Sequence, residues 1–336
     1  MADPTSSTPT AGALALADVP AEPGVAKPDP ILVVDHVRRS FGGLTAVDVD
    51  HLELQRGAIT SLIGPNGAGK TTFFNLMTGF DRPNTGSWSF DGHDLASLAA
   101  HKVARHGMVR TFQLTKALTR LSVMENMKLG ATEQRGERML SSLFGPLWRE
   151  QEREIEARAE ELLVRFKMDH MRNELGGELS GGQRKLLEMA RALMVQPSMV
   201  MLDEPMAGVN PALTQSLLGH VKDLPSHGMT VLFVEHDMDV VMDISDWVVV
   251  MAQGKIIAEG PPEAVAANEE VIDAYIGKGH GDESRFTPTP RAQAVAGDTI
   301  VAEAPPSADE GREDLKLDAD TDPADPAAGD DTRGGA

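Results

Sequence analysis

The sequence lacks cysteine, long apolar runs and an excess of basic residues. Without cysteine in 336 residues, disulfide bonds, thiolate metal sites and cysteine nucleophiles are excluded. No apolar run approaches the ~20 residues that a membrane-spanning helix requires, and the N-terminus has no basic start typical of a signal peptide. The 51 acidic residues outnumber the 31 basic ones, and a net charge of −20 argues against bulk binding to nucleic acid. We therefore expect a soluble protein that contacts a membrane only through a partner.

One stretch matches the phosphate-loop pattern G-x-x-x-x-G-K-[ST] in full. Its residues are Gly64, Pro65, Asn66, Gly67, Ala68, Gly69, Lys70, Thr71 and Thr72. Glycine lets a backbone curl around a polyphosphate with its N–H groups inward, Lys70 adds a mobile cation, and Thr71 supplies a hard oxygen for Mg²⁺. A buried strand at 59–63 and a helix at 71–78, stopped by Gly79, are predicted on the two sides. This context favours phosphate binding over an ordinary glycine-rich turn.

The composition divides the chain into three parts. Residues 1–30 are rich in Pro, Ala, Thr and Ser, and we predict that they are disordered. Residues 31–277 contain the strand and helix patterns of one folded domain. Residues 278–336 carry fourteen acidic and six basic residues among Pro, Ala and Gly, and we predict that they are also disordered, without an enzymatic role.

Within the folded part, strand-like alternation stops between about residues 114 and 180, which predicts a helical insertion. Ser122 and Glu125 form a capping-box pattern, and residues 149–166 have the period of an amphipathic helix. Core packing and a docking surface for a partner both fit the Met-rich and aromatic positions of the insertion, which are Met124, Met127, Phe144 and Trp148.

Polar residues follow two predicted buried strands in the second half of the chain. Asp203 and Glu204 end the strand at 198–202, and this placement suggests one acid that organises Mg²⁺ and one base. His236 follows the strand at 230–234, where its side chain either reaches a γ-phosphate or has a purely structural role. The helix start at residues 180–183 is either a second anion site or a plain cap. Phe41, beside two glycines, either stacks on a purine or packs in the core.

Five signals stand in one order along the chain: the phosphate loop, Gln113, the Leu-Ser-Gly-Gly-Gln run at 179–183, the Asp-Glu pair and His236. Over about residues 31–277 this order resembles the ATP-binding subunit of ABC transporters. The resemblance implies an α/β fold with a P-loop NTPase (RecA-like) core, an antiparallel β subdomain and an inserted helical subdomain. It also implies ATPase activity with ATP and Mg²⁺ as cofactors.

The resemblance assigns roles residue by residue. Phe41 stacks on adenine, and residues 64–72 hold the phosphates. Mg²⁺ is organised by Thr71, Gln113 and Asp203, and Gln113 also touches the attacking water and senses the membrane partner. Glu204 is the base and His236 the switch histidine. The γ-phosphate held by the other subunit is bound by the signature, which comprises Ser180, Gly181, Gly182 and Gln183. One departure is Asn210, where the family usually has Asp.

A closer likeness is to the ATP-binding subunits of branched-chain amino acid importers. It is carried by Phe41-Gly42-Gly43-Leu44, Arg110-Thr111-Phe112-Gln113, Glu235-His236-Asp237-Met238 and Ala274-Tyr275-Ile276-Gly277. The ATP-binding subunits of urea importers are very similar to those of this family, and a lipopolysaccharide-export subunit is also related to them. The likeness implies a peripheral position at the cytoplasmic face of the membrane. The implied partners are a second ATP-binding subunit, identical or different, permease subunits and, indirectly, a solute-binding protein. A soluble metal-cluster assembly ATPase and a binding module without catalysis are the alternatives, and Glu204 and His236 argue against the second.

Overall fold

The computed structural model describes residues 9–111, 119–131 and 145–276. Within these ranges the strands are β1 (Pro30–Phe41), β2 (Leu44–Gln55), β3 (Ile59–Ile63), β4 (Thr85–Phe90), β5 (His93–Asp94), β6 (Met108–Arg110), β7 (Met199–Asp203), β8 (Thr230–Val234), β9 (Trp247–Ala252) and β10 (Lys255–Gly260). The helices are α1 (Ala11–Ala15), α2 (Lys70–Met77), α3 (Ala100–Arg105), α4 (Val123–Leu129), α5 (Gly145–Arg165), α6 (Gly181–Ala192), α7 (Pro211–Asp223), α8 (Met238–Ile244), α9 (Pro262–Ala266) and α10 (Glu269–Ile276).

A six-stranded sheet with the order β10-β9-β3-β8-β7-β6 organises the fold. All its strands are parallel except β10, which pairs antiparallel with β9. Every residue of β3 and β8 is buried, as the continuous apolar runs of a doubly covered parallel sheet predict. Because β8 lies between β3 and β7, the loops that follow these three strands meet at one edge of the sheet.

A second, antiparallel sheet has the order β2-β1-β4-β5. Its β1–β2 hairpin places Val47, Val49, Leu52 and Leu54 in the core. The two predicted sheets of an α/β fold are thus both present.

Two apolar cores lie on opposite faces of the six-stranded sheet. Residues of β8 alternate between them, as side chains of a strand must. Val231 and Phe233 pack with α4–α8, whereas Leu232 and Val234 pack with α2 and the antiparallel sheet. The sheet therefore positions the edge loops from both sides.

The helical insertion is confirmed in its described part. Ser122 and Glu125 form the predicted capping box at the start of α4, and the apolar side of α5 is buried through Leu162 and Leu163. Met124 and Met127 are buried in the same core, so the docking-surface alternative is wrong for these two residues. Phe144 lies outside the described residues, and of Trp148 only the backbone in α5 is described.

The prediction of disorder is wrong for residues 9–30, which fold against the domain. Lys27 is buried, and its Nζ lies 2.9 Å from Oε2 of Glu259 on β10. The same oxygen accepts a hydrogen bond from Trp247 Nε1 at 2.9 Å, and Oε1 accepts from the Gly24 amide at 2.6 Å. A Pro- and Ala-rich segment cannot form its own core, but here its polar groups are satisfied by groups of the domain.

The predicted tail at 278–336 and residues 1–8 lie outside the described residues. In the described ranges, no helix has both the length and the apolar character needed to cross a bilayer.

Candidate functional site

The phosphate loop leaves β3 and enters α2 through two backbone positions that require glycine. Gly64 has φ +151°, and a Cβ there would overlap the carbonyl oxygen of Met251. Gly69 has φ +107°, and a Cβ there would overlap the carbonyl oxygen of Ala46. The loop thereby borders a cleft of about 650 Å³, to which the β1–β2 hairpin, Glu204 and Val234 also contribute.

Lys70 begins α2 and directs its side chain into the loop. Its Nζ donates hydrogen bonds to the carbonyl oxygens of Gly64 at 2.6 Å and Pro65 at 3.2 Å. Burial lowers the pKa of this ammonium group, and the nearby carboxylates of Glu204 and Asp203 oppose that shift. The start of α2 therefore combines a cation with free helix N–H groups, which is a favourable setting for a polyphosphate.

Asp203 ends β7 at the same edge of the sheet. Its Oδ2 accepts a hydrogen bond from Arg110 Nη2 at 2.6 Å, and Arg110 Nη1 donates to Asn75 Oδ1 on α2 at 2.6 Å. Sequence reasoning gave Arg110 no role, because the pairing depends on β6 lying beside β7. Arg110 thus joins the Asp203 carboxylate to the helix that follows the phosphate loop.

Glu204 lines the cleft in an uncommon backbone conformation. Its φ is +47°, a left-handed value that costs energy in any residue with a Cβ. Its amide donates to the carbonyl oxygen of Val234 on β8 at 3.0 Å. Strained backbone at a carboxylate facing a phosphate cleft is typical of functional positions.

The signature residues start α6 and bond to each other. Ser180 Oγ accepts from the Gln183 amide at 3.3 Å, and Gln183 Oε1 accepts from the Ser180 amide at 2.8 Å. This reciprocal pair is a capping box. Ser180 and Gly181 are exposed, whereas Gly182 is buried against Leu213. Among the described residues that line the cleft, none belongs to the signature.

Comparison with known proteins matches the ABC transporter family over residues 47–207, and the family of branched-chain amino acid ATP-binding cassette transporters over residues 255–281. The chain is 42 % identical over 251 residues to the high-affinity branched-chain amino acid transport ATP-binding protein BraF of Pseudomonas aeruginosa, with 74 % of this chain and 98 % of that protein covered. It is 40 % identical over 251 residues to the corresponding protein LivG of Escherichia coli, with the same coverage.

A similar solved structure is the ADP conformation of an ATP-binding cassette of an ABC transporter. It matches with a TM-score of 0.65 and 38 % identity, over 74 % of this chain and 99 % of that one. The chain belongs to the ABC transporter family. This ABC cassette therefore binds a nucleotide and is an ATPase, and the cleft at the phosphate loop is the candidate site for that nucleotide.

Phe41 ends β1 of the cassette and is 49 % exposed, so the prediction that it packs in the core is wrong. The Arg39 guanidinium lies 4.6 Å from the ring centroid and pairs with Asp81. Leu44 and Thr45 of the same hairpin line the cleft. Stacking on adenine stays a prediction for a ring that is accessible beside the cleft.

His236 follows β8 at the edge where the other site loops meet, and its side chain is 66 % exposed. Its Nδ1 lies 3.9 Å from Oε2 of the buried Glu235. Gln113 lies outside the described residues. Asn210 is the N-cap of α7, with Oδ1 accepting from the Leu213 amide at 2.9 Å. The cassette thus has the loop and both carboxylates together, with His236 at the exposed border.

Proposed function

We propose that this chain is the subunit that binds and hydrolyses ATP to power an importer of branched-chain amino acids. The catalytic part rests on one observation: Glu204, whose backbone is strained, lines the same cleft as Lys70 and the loop glycines. The substrate part rests on relatives at 40 % and 42 % identity whose names specify branched-chain amino acid transport.

The residues of the cleft divide the binding work between them. Lys70 and the backbone amides of the loop hold the phosphates. Thr71, which is exposed in the first turn of α2, and Asp203 are hard oxygen donors suited to Mg²⁺, and Gln113 completes their set. Mg²⁺, when bound, neutralises charge on the phosphates. Phe41 stacks on adenine at the neighbouring hairpin.

Hydrolysis requires a water molecule in line with the γ-phosphate. Glu204 orients this water and takes its proton as the new P–O bond forms and the bond to ADP breaks. His236 steadies the γ-phosphate from the end of β8. Its exposed side chain has room to turn toward the cleft.

The second half of each site comes from another ATP-binding subunit. Ser180, Gly181, Gly182 and Gln183 of one subunit bind the γ-phosphate that its partner holds. This division agrees with the absence of these residues from the cleft lining in the described part of this chain. The helical insertion and Gln113 transmit closure to permease subunits at the cytoplasmic face of the membrane, and a solute-binding protein delivers the amino acid to them.

The catalytic part is tested by Glu204→Gln, which preserves shape and removes the base. Phosphate release by the purified full chain falls at least about 100-fold, whereas ATP affinity measured by titration stays within about 2-fold. Glu263→Gln, at an exposed position of α9, is the control and leaves both unchanged. Normal phosphate release by Glu204→Gln would remove Glu204 from its role.

The transport part is tested by affinity purification of the tagged full chain from detergent-solubilised membranes. Permease subunits co-purify, and hydrolysis by the complex rises when a binding protein loaded with leucine is added. A chain that purifies without permease would instead indicate a soluble ABC ATPase, such as a metal-cluster assembly factor.

A further inference from the structure

The loop that follows β7, residues 204–207, is held by a lysine of the signature helix. Lys185 Nζ donates to the carbonyl oxygens of Glu204 at 3.3 Å, Pro205 at 2.9 Å and Ala207 at 2.5 Å. An ammonium group has three N–H donors, and these three contacts use all of them. Lys185 therefore holds this loop in place. It does so from α6, the helix whose first residues are the signature proposed to contact another subunit.

A buried carboxylate holds the other side of the same loop. Glu235 is 2 % exposed, and its Oε1 accepts from the Met206 amide at 3.1 Å. The Glu204 amide donates to Val234, the residue before Glu235. The loop is thus fixed by its carbonyl groups on α6 and by its amide groups on the end of β8.

The charges of this cluster are complementary. Burial lowers the pKa of Lys185, and the charges of Glu235, Glu188 and Glu204 oppose this shift by favouring its charged form. Burial raises the pKa of Glu235, and its hydrogen bond with the Met206 amide opposes the shift. Lys185 and Glu235 both bind the loop at residues 204–207, and their opposite charges also attract each other.

The backbone of Glu204 explains why such a clamp is needed. A left-handed conformation in a residue with a Cβ persists only when its surroundings fix it. At Glu204 these surroundings are the Val234 carbonyl group on its amide and Lys185 on its carbonyl oxygen. Loss of the Lys185 contacts frees the carbonyl side of the loop to relax, and the carboxylate moves with it.

We infer that Lys185 is a positioning residue that holds Glu204 toward the cleft and couples it to the signature helix. This inference rests on the proposed function, in which Glu204 is the base and the signature contacts a second subunit. Engagement of the signature then bears directly on the catalytic carboxylate of the same chain, because one ammonium group joins the two elements.

The test compares Lys185→Met with Lys185→Arg in the purified full chain. Lys185→Met lowers kcat about 10- to 100-fold, the size expected for a misplaced catalytic group, while ATP affinity stays within about 2-fold. Lys185→Arg keeps several N–H donors and restores most of the rate. Lys222→Met is the control, since Lys222 pairs with Asp243 at an exposed site, and it leaves kcat unchanged. Lys185→Gln replaces the Met variant if the latter does not fold.

A second measurement separates positioning from general structural support. In the Glu204→Gln background, adding Lys185→Met changes the residual single-turnover rate by less than about 2-fold, because the group it positions is already gone. An equal loss of rate in both backgrounds would overturn the inference, and so would an unchanged kcat for Lys185→Met beside a defective Glu204→Gln. Normal hydrolysis by Glu204→Gln alone would overturn the proposed function itself.

Discussion

The phosphate loop and the signature differ in how much of a site each one forms within the chain. The loop has two glycine positions that no other residue fits, a lysine held inside it, and a cleft in front of it. The signature has a helix start whose serine and glutamine satisfy each other. In the proposed function, the phosphate loop is a preformed phosphate cradle and the signature is a surface that becomes a site only against a second subunit.

The sheet that carries the phosphate loop and the helical insertion also differ in what holds them in place. At the end of the sheet where β3 and β9 begin, a buried network joins Lys27, Glu259 and Trp247. The helical insertion rests on apolar contacts that include Met124, Met127 and Met168. A satisfied buried polar network fixes one geometry, whereas methionine packs adaptably. We therefore expect the loop region to stay fixed and the insertion to adjust during turnover.

The largest expected effect is that of Lys27→Met, which attacks the fixed region. It leaves the Glu259 carboxylate buried without its cation and lowers the free energy of unfolding by about 3–5 kcal/mol. Urea denaturation measures this loss. Arg56→Met removes a partly exposed cation that pairs with Asp29 and Asp91, and this control changes stability by about 1 kcal/mol or less. Equal losses for the two variants would show that the buried network does not fix the region.

Lys70→Ala tests the cradle itself. Without the ammonium group in the loop, ATP affinity falls about 100-fold or more, which corresponds to about 2.7 kcal/mol. Titration with a fluorescent ATP analogue measures the change, and the exposed Lys102→Ala serves as control. Unchanged affinity would refute the assignment of the loop to the phosphates.

Ser180→Ala tests the signature and has a matched control in Ser122→Ala. Both serines close a capping box, at α6 and α4, so each variant loses about 1 kcal/mol of stability. Only Ser180→Ala lowers turnover, and neither changes ATP affinity of the isolated subunit, because Ser180 is not part of the cleft lining. Loss of affinity in Ser180→Ala would place the signature in the site of its own chain and end the comparison.

Features that depend on neighbours in sequence were predictable. The strand, loop and helix at the phosphate site and the capping box at Ser122 follow from spacing over a few residues, and the structure has them where the patterns place them. The family followed from the order of these motifs. Local patterns carry such information because turns, caps and buried runs are set by adjacent residues.

Contacts between distant residues were not predictable in the same way. Arg110 and Asp203 are 93 positions apart, and Lys27 and Glu259 are 232 apart. Their pairing depends on which strands lie side by side, and the composition of residues 9–30 gave no sign of it. Lys185 was missed for the same reason, because a lysine in an amphipathic helix is normally a solvated residue.

The smallest expected effect is a loss of stability at acidic pH, at the place where α7 packs against the helical insertion. His220 of α7 stacks on Phe166 with 4.4 Å between ring centroids, and its buried Nε2 has no hydrogen-bond partner in the described part of the chain. Burial first, and then the charges of Arg165 and Lys167, lower the pKa of His220, while Asp223 opposes them.

Because the folded state binds this proton more weakly than the unfolded state, stability is full above the ordinary histidine pKa of about 6.5 and falls as the pH drops below it. His220→Phe removes this pH-dependent contribution to stability and keeps an aromatic ring that can stack on Phe166. The fall in Tm between pH 7.5 and 5.5 is therefore smaller in His220→Phe than in the wild type, and the exposed His101→Phe does not change it. If the fall in Tm is the same in His220→Phe as in the wild type, His220 takes up its proton without loss of stability in the folded chain. The insertion would then pack less tightly against α7 than its apolar contacts indicate.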